Sequence, residues 1–432
     1  HKNHTFSNPY DAEIDSLPML ESLQKPPAKF DKNRQRKLLI KEVNQVDTPE
    51  ELTKMIEVLQ NESELAIDLE HHSQRSFQGF TCLMQVSSRD QDFLVDCIKL
   101  RSDMQQFNLL TSNPSILKVF HGCTHDIDWL QKDFGIYVVN LIDTFKISKR
   151  LTNLRSRSLG SLLYEFCDVL VDKSLQNCDW RLRPLTRSHI EYAASDTHYL
   201  LNLKDILLFE LYQQSQKNGE SYQDIMNQVY HECKMLSRKS YRKPVTFGRH
   251  FDILRNEVIM MVGSDSNFGV KLFDFLWEKR DDLARKYDES LNYVLSNRNI
   301  LDLVQGRRSF ESKVRRIQNK NNLHFMEVIL EDYAKLKNKF WNETEDKIVE
   351  ESVEKNDFNQ EARNNANNIG VGGGRRQFTE SNNEESQKMV DRSLKTILGM
   401  KIQFKVNIQK EARSQKNETK KSVLTPTFSY LQ

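Results

Sequence analysis

Asp68 and Glu70 stand two positions apart in Leu65-Ala66-Ile67-Asp68-Leu69-Glu70, an apolar run that turns acidic. Residues i and i+2 of a strand face the same side with α-carbons roughly 6.5–7 Å apart, so both carboxylates address one face. Taken alone, Asp-x-Glu is common where a strand end meets water. Asp126 follows a strand ending at His121-Gly122 and sits in the first turn of the helix that runs on to Phe134. An isolated acid there is accounted for by the helix N-terminus. Tyr192 and Asp196 are four apart on a helix opened by Thr186, which sets a phenol and a carboxylate on one face; a lone tyrosine there reads as a half-buried core residue. The conjunction changes the reading. Four carboxylates in one cleft repel unless divalent cations neutralise them, and all-oxygen donors select Mg²⁺ or Mn²⁺ over zinc. Two such ions about 3.5–4 Å apart can bind the oxygens flanking a phosphodiester, with Tyr192 orienting the attacking water.

Positioning these groups requires a core, and apolar segments are densest from Thr48 to about Gln216. Thr48-Pro49-Glu50-Glu51 starts a helix. Leu65–Glu70, Thr81–Val86 and Asp92–Asp96 read as three strands, and helices follow from Asp126, Thr144, Leu159 and Thr186, the last through Leu211. Three strands and then alternation of helix with strand predict an α/β fold, a mixed sheet flanked by helices. Asp128, two positions from Asp126, is expected to face away. Asp143 and Asp96 read as a helix cap and a strand-end acid.

The motifs around these acids resemble the DEDDy group of 3′→5′ exonucleases, in particular the ribonuclease D-type subunit of the nuclear RNA exosome. Ala66-Ile67-Asp68-Leu69-Glu70-His71-His72-Ser73 with Thr81-Cys82-Leu83-Met84-Gln85 is similar to the first exonuclease motif. Phe120-His121-Gly122 and Asp126-Ile127-Asp128-Trp129-Leu130 resemble the second. Asp179-Trp180-Arg181-Leu182-Arg183-Pro184-Leu185 and Tyr192-Ala193-Ala194-Ser195-Asp196-Thr197-His198-Tyr199 resemble the third. The resemblance runs from Asn8 to about Leu203. It implies an RNase H-like fold, two divalent cations (Mg²⁺ or Mn²⁺) held by Asp68, Glu70, Asp126 and Asp196, and Tyr192 positioning water. It also implies that His71 and Trp129 lie near the terminal RNA nucleotides, although Trp129 reads equally well as a core anchor on its amphipathic helix. Cys123-Thr124-His125 and Ala194-Ser195 depart from the family's usual residues without removing a ligand.

Beyond the nuclease, Leu276-Trp277, Ala284-Arg285 and Asp288-Glu289-Ser290 through Asn297 look like the start of a small all-α HRDC domain, a match that fades after Gln305. The expected organisation is an extended N-terminal arm over 1–40, the exonuclease over 41–216 and a basic connector over 217–262. An HRDC-like bundle over 263–342, divergent after 305, then leads to a disordered tail, Asn-rich and then basic, over 343–432. Lys388 to Lys421 carries ten basic residues against three acids, a local excess of seven. Lys234, Arg238, Lys239, Arg242, Lys243 and Arg249 cluster in the connector, as an RNA guide or as solvated linker charge.

At 432 residues the chain exceeds a single small domain, and its net charge of +2 argues for neither a nucleic-acid nor a membrane partner. No apolar run approaches the roughly 18 residues that span a bilayer, so no membrane partner is expected. Six scattered cysteines lack a CxxC pair and read as buried free thiols. The sequence begins at His1 without a charged-then-apolar leader; no secretory signal is expected, and the missing initiator Met points to a fragment. The resemblance implies hydrolysis of single-stranded RNA from the 3′ end to nucleoside 5′-monophosphates. Its setting would be the nucleus, nucleolus included, with the exosome core and nuclear cofactor proteins as partners. The competing readings are a non-catalytic exosome scaffold and a DNA 3′→5′ exonuclease.

Overall fold

The computed structural model describes residues 7–25, 43–262, 267–305, 310–317 and 324–339. Its sheet contains β1 Val43–Val46, β2 Glu64–His72, β3 Phe80–Ser87, β4 Asp92–Asp96, β5 Leu117–Phe120 and β6 Leu141–Asp143, in the order β1-β4-β3-β2-β5-β6. β3 runs antiparallel to β2 and β4, whereas the β1–β4, β2–β5 and β5–β6 pairs are parallel. The expected mixed sheet flanked by helices is therefore present.

Strand alternation sorts the side chains by face. Ile67 and Leu69 of β2, Met84 and Val86 of β3, and Phe93 and Val95 of β4 enter the large core. Register places Asp68 opposite Gln85 and Glu70 opposite Leu83, and Gln85 opposite Leu94, all on the other face. That face is covered by the helix Arg187–His198, which joins Leu83, Leu94, Trp180 and Ala193 in a separate small cluster. Ala193 and Ala194 let the helix approach closely, and two buried bonds fasten its end. Thr197 pairs with Ser87 at 2.8 Å, and His198 Nδ1 lies 2.7 Å from Asp92 Oδ2. The long helix anticipated from Thr186 to Leu211 is consequently broken: with its end tied to the sheet, the chain turns at Tyr199 and restarts as Leu200–Asn218.

Residues 217–262 also differ from the polar connector anticipated. The helix Tyr222–Ser237 buries Tyr222, Met226, Val229, Tyr230 and Cys233 in the large core, and Arg249–Val262 buries Val258 in a second one. Only residues 238–248 between them lack helix or strand. Within the arm, residues 7–25 form the helices Asp11–Ser16 and Glu21–Gln24 instead of running extended. They lie along Tyr222–Ser237: Asn8 Nδ2 donates to Ser237 O at 2.7 Å, and Tyr222 OH donates to Leu23 O at 3.3 Å.

The second core gathers Arg249–Val262, Asn267–Tyr287, Leu291–Val294, Asn297–Val304, Phe310–Ile317 and a helix over 324–339. It is fastened to the β2–β3 loop, where Arg75 forks Glu289 and lies 4.0 Å over the Tyr293 ring, and Ser76 and the Phe77 amide donate to Asp288. The tail expected over 343–432 falls outside the described residues. All six cysteines are free thiols, five of them buried. No helix among the described residues is long and apolar enough to cross a membrane.

Candidate active site

Asp68 and Glu70 from β2 meet Asp196 from the overlying helix, with one ligand-capable oxygen from each within 4.8 Å of the other two. Asp126, buried in the first turn of the helix Thr124–Phe134, is outside that mutual distance and reaches Asp68 and Glu70 through its charge. The turn leading to it is held by Asp143, whose carboxylate accepts from Gly122 N at 2.8 Å and Cys123 N at 3.3 Å while also capping Thr144–Ser148. Asp128 faces the other way and pairs with Lys239.

No arginine or lysine among the described residues pairs with the four carboxylates. Burial raises the Asp68 carboxyl to about 7. Burial, then the charges of Asp68, Asp196 and Asp126, raises Glu70 to about 10. Asp126 and Asp196 are held well above the ordinary carboxylate range by burial and then by Asp68. A group of acids that must keep protons near neutral pH, with oxygen as its only donor atom, fits hard divalent cations.

Tyr192 sits one turn before Asp196. Burial, followed by Asp196, Glu70 and Asp68, keeps its phenol protonated. Its ring is backed by the buried Trp180 at 5.9 Å between centroids, and Trp180 is in turn met edge-on by His189. His71, next to Glu70, stacks on Trp129 with centroids 4.2 Å apart and planes 8° from parallel. Its imidazole is lowered to about 4 by burial and then by Lys132, so the stacked ring is neutral. Trp129 is half-buried against the large core, and the face it turns away from that core meets His71. The pairing shifts register between Glu70 and His71, a bulge of the kind that re-aims side chains beside active sites. Gly79, at φ +63°, makes room for it, since a Cβ there would lie 2.2 Å from His71 Cε1.

Sequence reasoning gave no role to Gln85, whose side-chain amide donates to Glu70 Oε1 at 3.4 Å; its place opposite Asp68 follows from strand pairing. Nor did it find the Asp92–His198 and Ser87–Thr197 anchors. Three of the cations grouped as an RNA guide hold the fold together. Arg238 pairs with Asp11 and Asp15, Lys234 Nζ donates to Asp15 O, and Lys239 bonds Asp128 and Thr124 O.

Residues 43–212 match a family model described as a 3′-5′ exonuclease. Exosome complex component 10 of Homo sapiens is 38% identical over 302 residues, covering 69% of this chain and 33% of that protein. Exosome complex exonuclease RRP6 of Saccharomyces cerevisiae is 38% identical over 275 residues, covering 60% of this chain and 35% of that one. The chain thus spans about a third of the length of the curated relatives it matches. The crystal structure of the catalytic core of RRP6 from Trypanosoma brucei aligns with a TM-score of 0.63 at 30% identity, covering 76% of this chain and 89% of that core. An exonuclease fold of this type implies divalent-metal use, in keeping with the acidic cluster. With a solved catalytic core matched over nearly its whole length at that identity, the chain belongs to the RRP6 family of 3′-5′ exonucleases.

Proposed function

We propose that this chain is the catalytic part of a hydrolytic 3′→5′ exoribonuclease that releases nucleoside 5′-monophosphates from single-stranded RNA ends. It would work with the exosome core and its cofactor proteins in the nucleus, nucleolus included, in RNA processing and decay. The observation that carries this reading is the meeting of Asp68, Glu70 and Asp196 within 4.8 Å, with no cationic side chain among the described residues paired to them and beside a protonated tyrosine. The family membership supports the substrate and the setting, because the related proteins are named as exosome components.

Asp68, Glu70, Asp126 and Asp196 would hold two Mg²⁺ or Mn²⁺ ions. When bound, these ions supply charge neutralisation at the oxygens on either side of the scissile phosphorus. Tyr192, neutral and rigidly backed by Trp180, donates or accepts a hydrogen bond and so orients the attacking water without acting as a base. His71 and Trp129 offer a flat, neutral stack for the terminal base, the sequence-tolerant contact suited to an enzyme that removes every nucleotide in turn.

The test is degradation of 5′-labelled single-stranded RNA and matched DNA, with Mg²⁺ or with EDTA, by the wild type and Asp68→Asn. Metal-dependent shortening of RNA that Asp68→Asn abolishes is the expected result. Shortening of DNA alone would make the chain a DNA exonuclease, and no shortening would favour a scaffold.

A further inference from the structure

A groove of about 820 Å³ opens between the helix Thr124–Phe134 and the segment 238–248. The segment is pinned there by one side chain: Gln131 Nε2 donates to Lys239 O at 2.7 Å, and Gln131 Oε1 accepts from Tyr241 N at 2.8 Å. Lys239 adds an ion pair to Asp128. Phe77, Trp129 and Tyr241 supply ring surface to the lining, and Lys132 and Arg242 supply charge. The two carboxylates in the lining, Asp11 and Asp128, are each neutralised by a lining cation, Arg238 and Lys239. Arg242 is exposed and makes no ion pair or hydrogen bond with the described residues. The groove is therefore aromatic with a surplus of positive charge. It adjoins the His71–Trp129 stack beside the candidate active site, because Trp129 both lies flat on His71 and lines the groove.

We propose that this groove binds the RNA nucleotides upstream of the scissile end, with bases on Tyr241, Phe77 and the outer edge of Trp129 and a phosphate at Arg242. The proposal rests on the exoribonuclease reading and adds a second binding region to it. Rings stack on any base, and an unpaired guanidinium provides sequence-independent affinity, so the region would strengthen binding of long ends without selecting among sequences. Gln131 acts as a positioning residue that keeps Tyr241 over the groove.

Two readouts test it, on a single-stranded RNA of about ten nucleotides and on an RNA dinucleotide too short to reach the groove. Fluorescence anisotropy in EDTA should give Tyr241→Ala roughly 5- to 30-fold weaker binding of the long RNA, with Tyr241→Phe close to wild type. Arg242→Glu should reduce the slope of log affinity against log salt by about one. In Mg²⁺, the ratio of kcat/KM on the long RNA to that on the dinucleotide should fall for both Tyr241→Ala and Arg242→Glu. Wild-type affinity in both variants, or equal losses on both substrates, would overturn the groove. Should the wild type degrade neither substrate, the exonuclease reading fails, and the anisotropy measurement still decides whether the groove holds RNA.

Discussion

Arg280, buried in the helical unit, donates to Leu295 O and Asn297 Oδ1 and lies 4.2 Å over the Trp277 ring. Its neighbour Asp281 accepts from Arg285 and Thr246. In the cleft, Asp126 is buried and Asp68, Glu70 and Asp196 are half-buried, and none of the four has a cationic partner among the described residues. Both regions bury charge, but only the helical unit sets charge of the opposite sign beside it from within the chain. Burying a charge costs several kcal/mol unless it is paired or bonded, so the helical unit uses its buried charge to hold helices together. The cleft instead carries an uncompensated repulsion, which makes sense where a ligand supplies the missing positive charge.

Asp196→Asn should break the cleft's side of this contrast most sharply. Losing a ligand oxygen should lower turnover on RNA at least about 10³-fold, or some 4 kcal/mol. The thermal midpoint in EDTA should hold or rise, because one repelling acid is gone. Retained turnover would remove Asp196 from the ligand set. Arg280→Ala probes the other side. It leaves Leu295 O and Asn297 without their donor and empties the space over Trp277, so it should destabilise the helical unit by about 2–4 kcal/mol. Urea unfolding that matched the wild type would mean that pairing there adds nothing.

Parts of the chain were also unequally legible. β2 to β4 could be read because alternation exposes a strand directly, and Asp68 and Glu70 sit on one such strand. The convergence of Asp196 with them could be read only as a pattern, since the pairings that create it, Ser87 with Thr197 and Asp92 with His198, join positions more than a hundred residues apart. Tyr222–Ser237 was misread for a different reason. Its buried residues do recur at helical spacing, but charged and amide residues between them lower the average hydrophobicity below that of a core helix. The basic cluster around Arg238 left two readings open for a related reason: charge in a sequence does not say whether its partner is a phosphate or Asp11.

Tyr192→Phe tests whether the phenol acts on water or only fills space beside Trp180. The hydroxyl alone is removed, so metal binding and stability should stay near wild type while the RNA rate falls about 10²-fold, the usual scale for one positioned proton-handling group. A wild-type rate would leave Tyr192 as packing only.

The smallest effect comes from the cleft's own repulsion, through pH. Asp68 is raised to about 7 and Glu70 to about 10 in the folded chain, against roughly 4 for such carboxyls when unfolded. Between these limits the folded form holds protons that the unfolded chain has released, so stability without metal must fall as pH rises. The penalty is absent below pH 4, grows through Asp68's range towards 7, and continues growing for Glu70 beyond it. Divalent cations must displace the same protons, so their affinity should weaken as pH falls. Glu70→Gln deletes the group with the wider window. In EDTA the variant should lose less stability than the wild type between pH 5 and 8, ending ahead by about 1 kcal/mol or more at the upper end. Titrating groups outside the cleft are common to both proteins and cancel in the difference, and relief of the neighbouring acids by the lost charge acts in the same direction. Melting curves that ran parallel across that range would mean that Glu70 is solvated or paired in the folded chain, and the contrast between the two regions would then rest on Asp68, Asp126 and Asp196 alone.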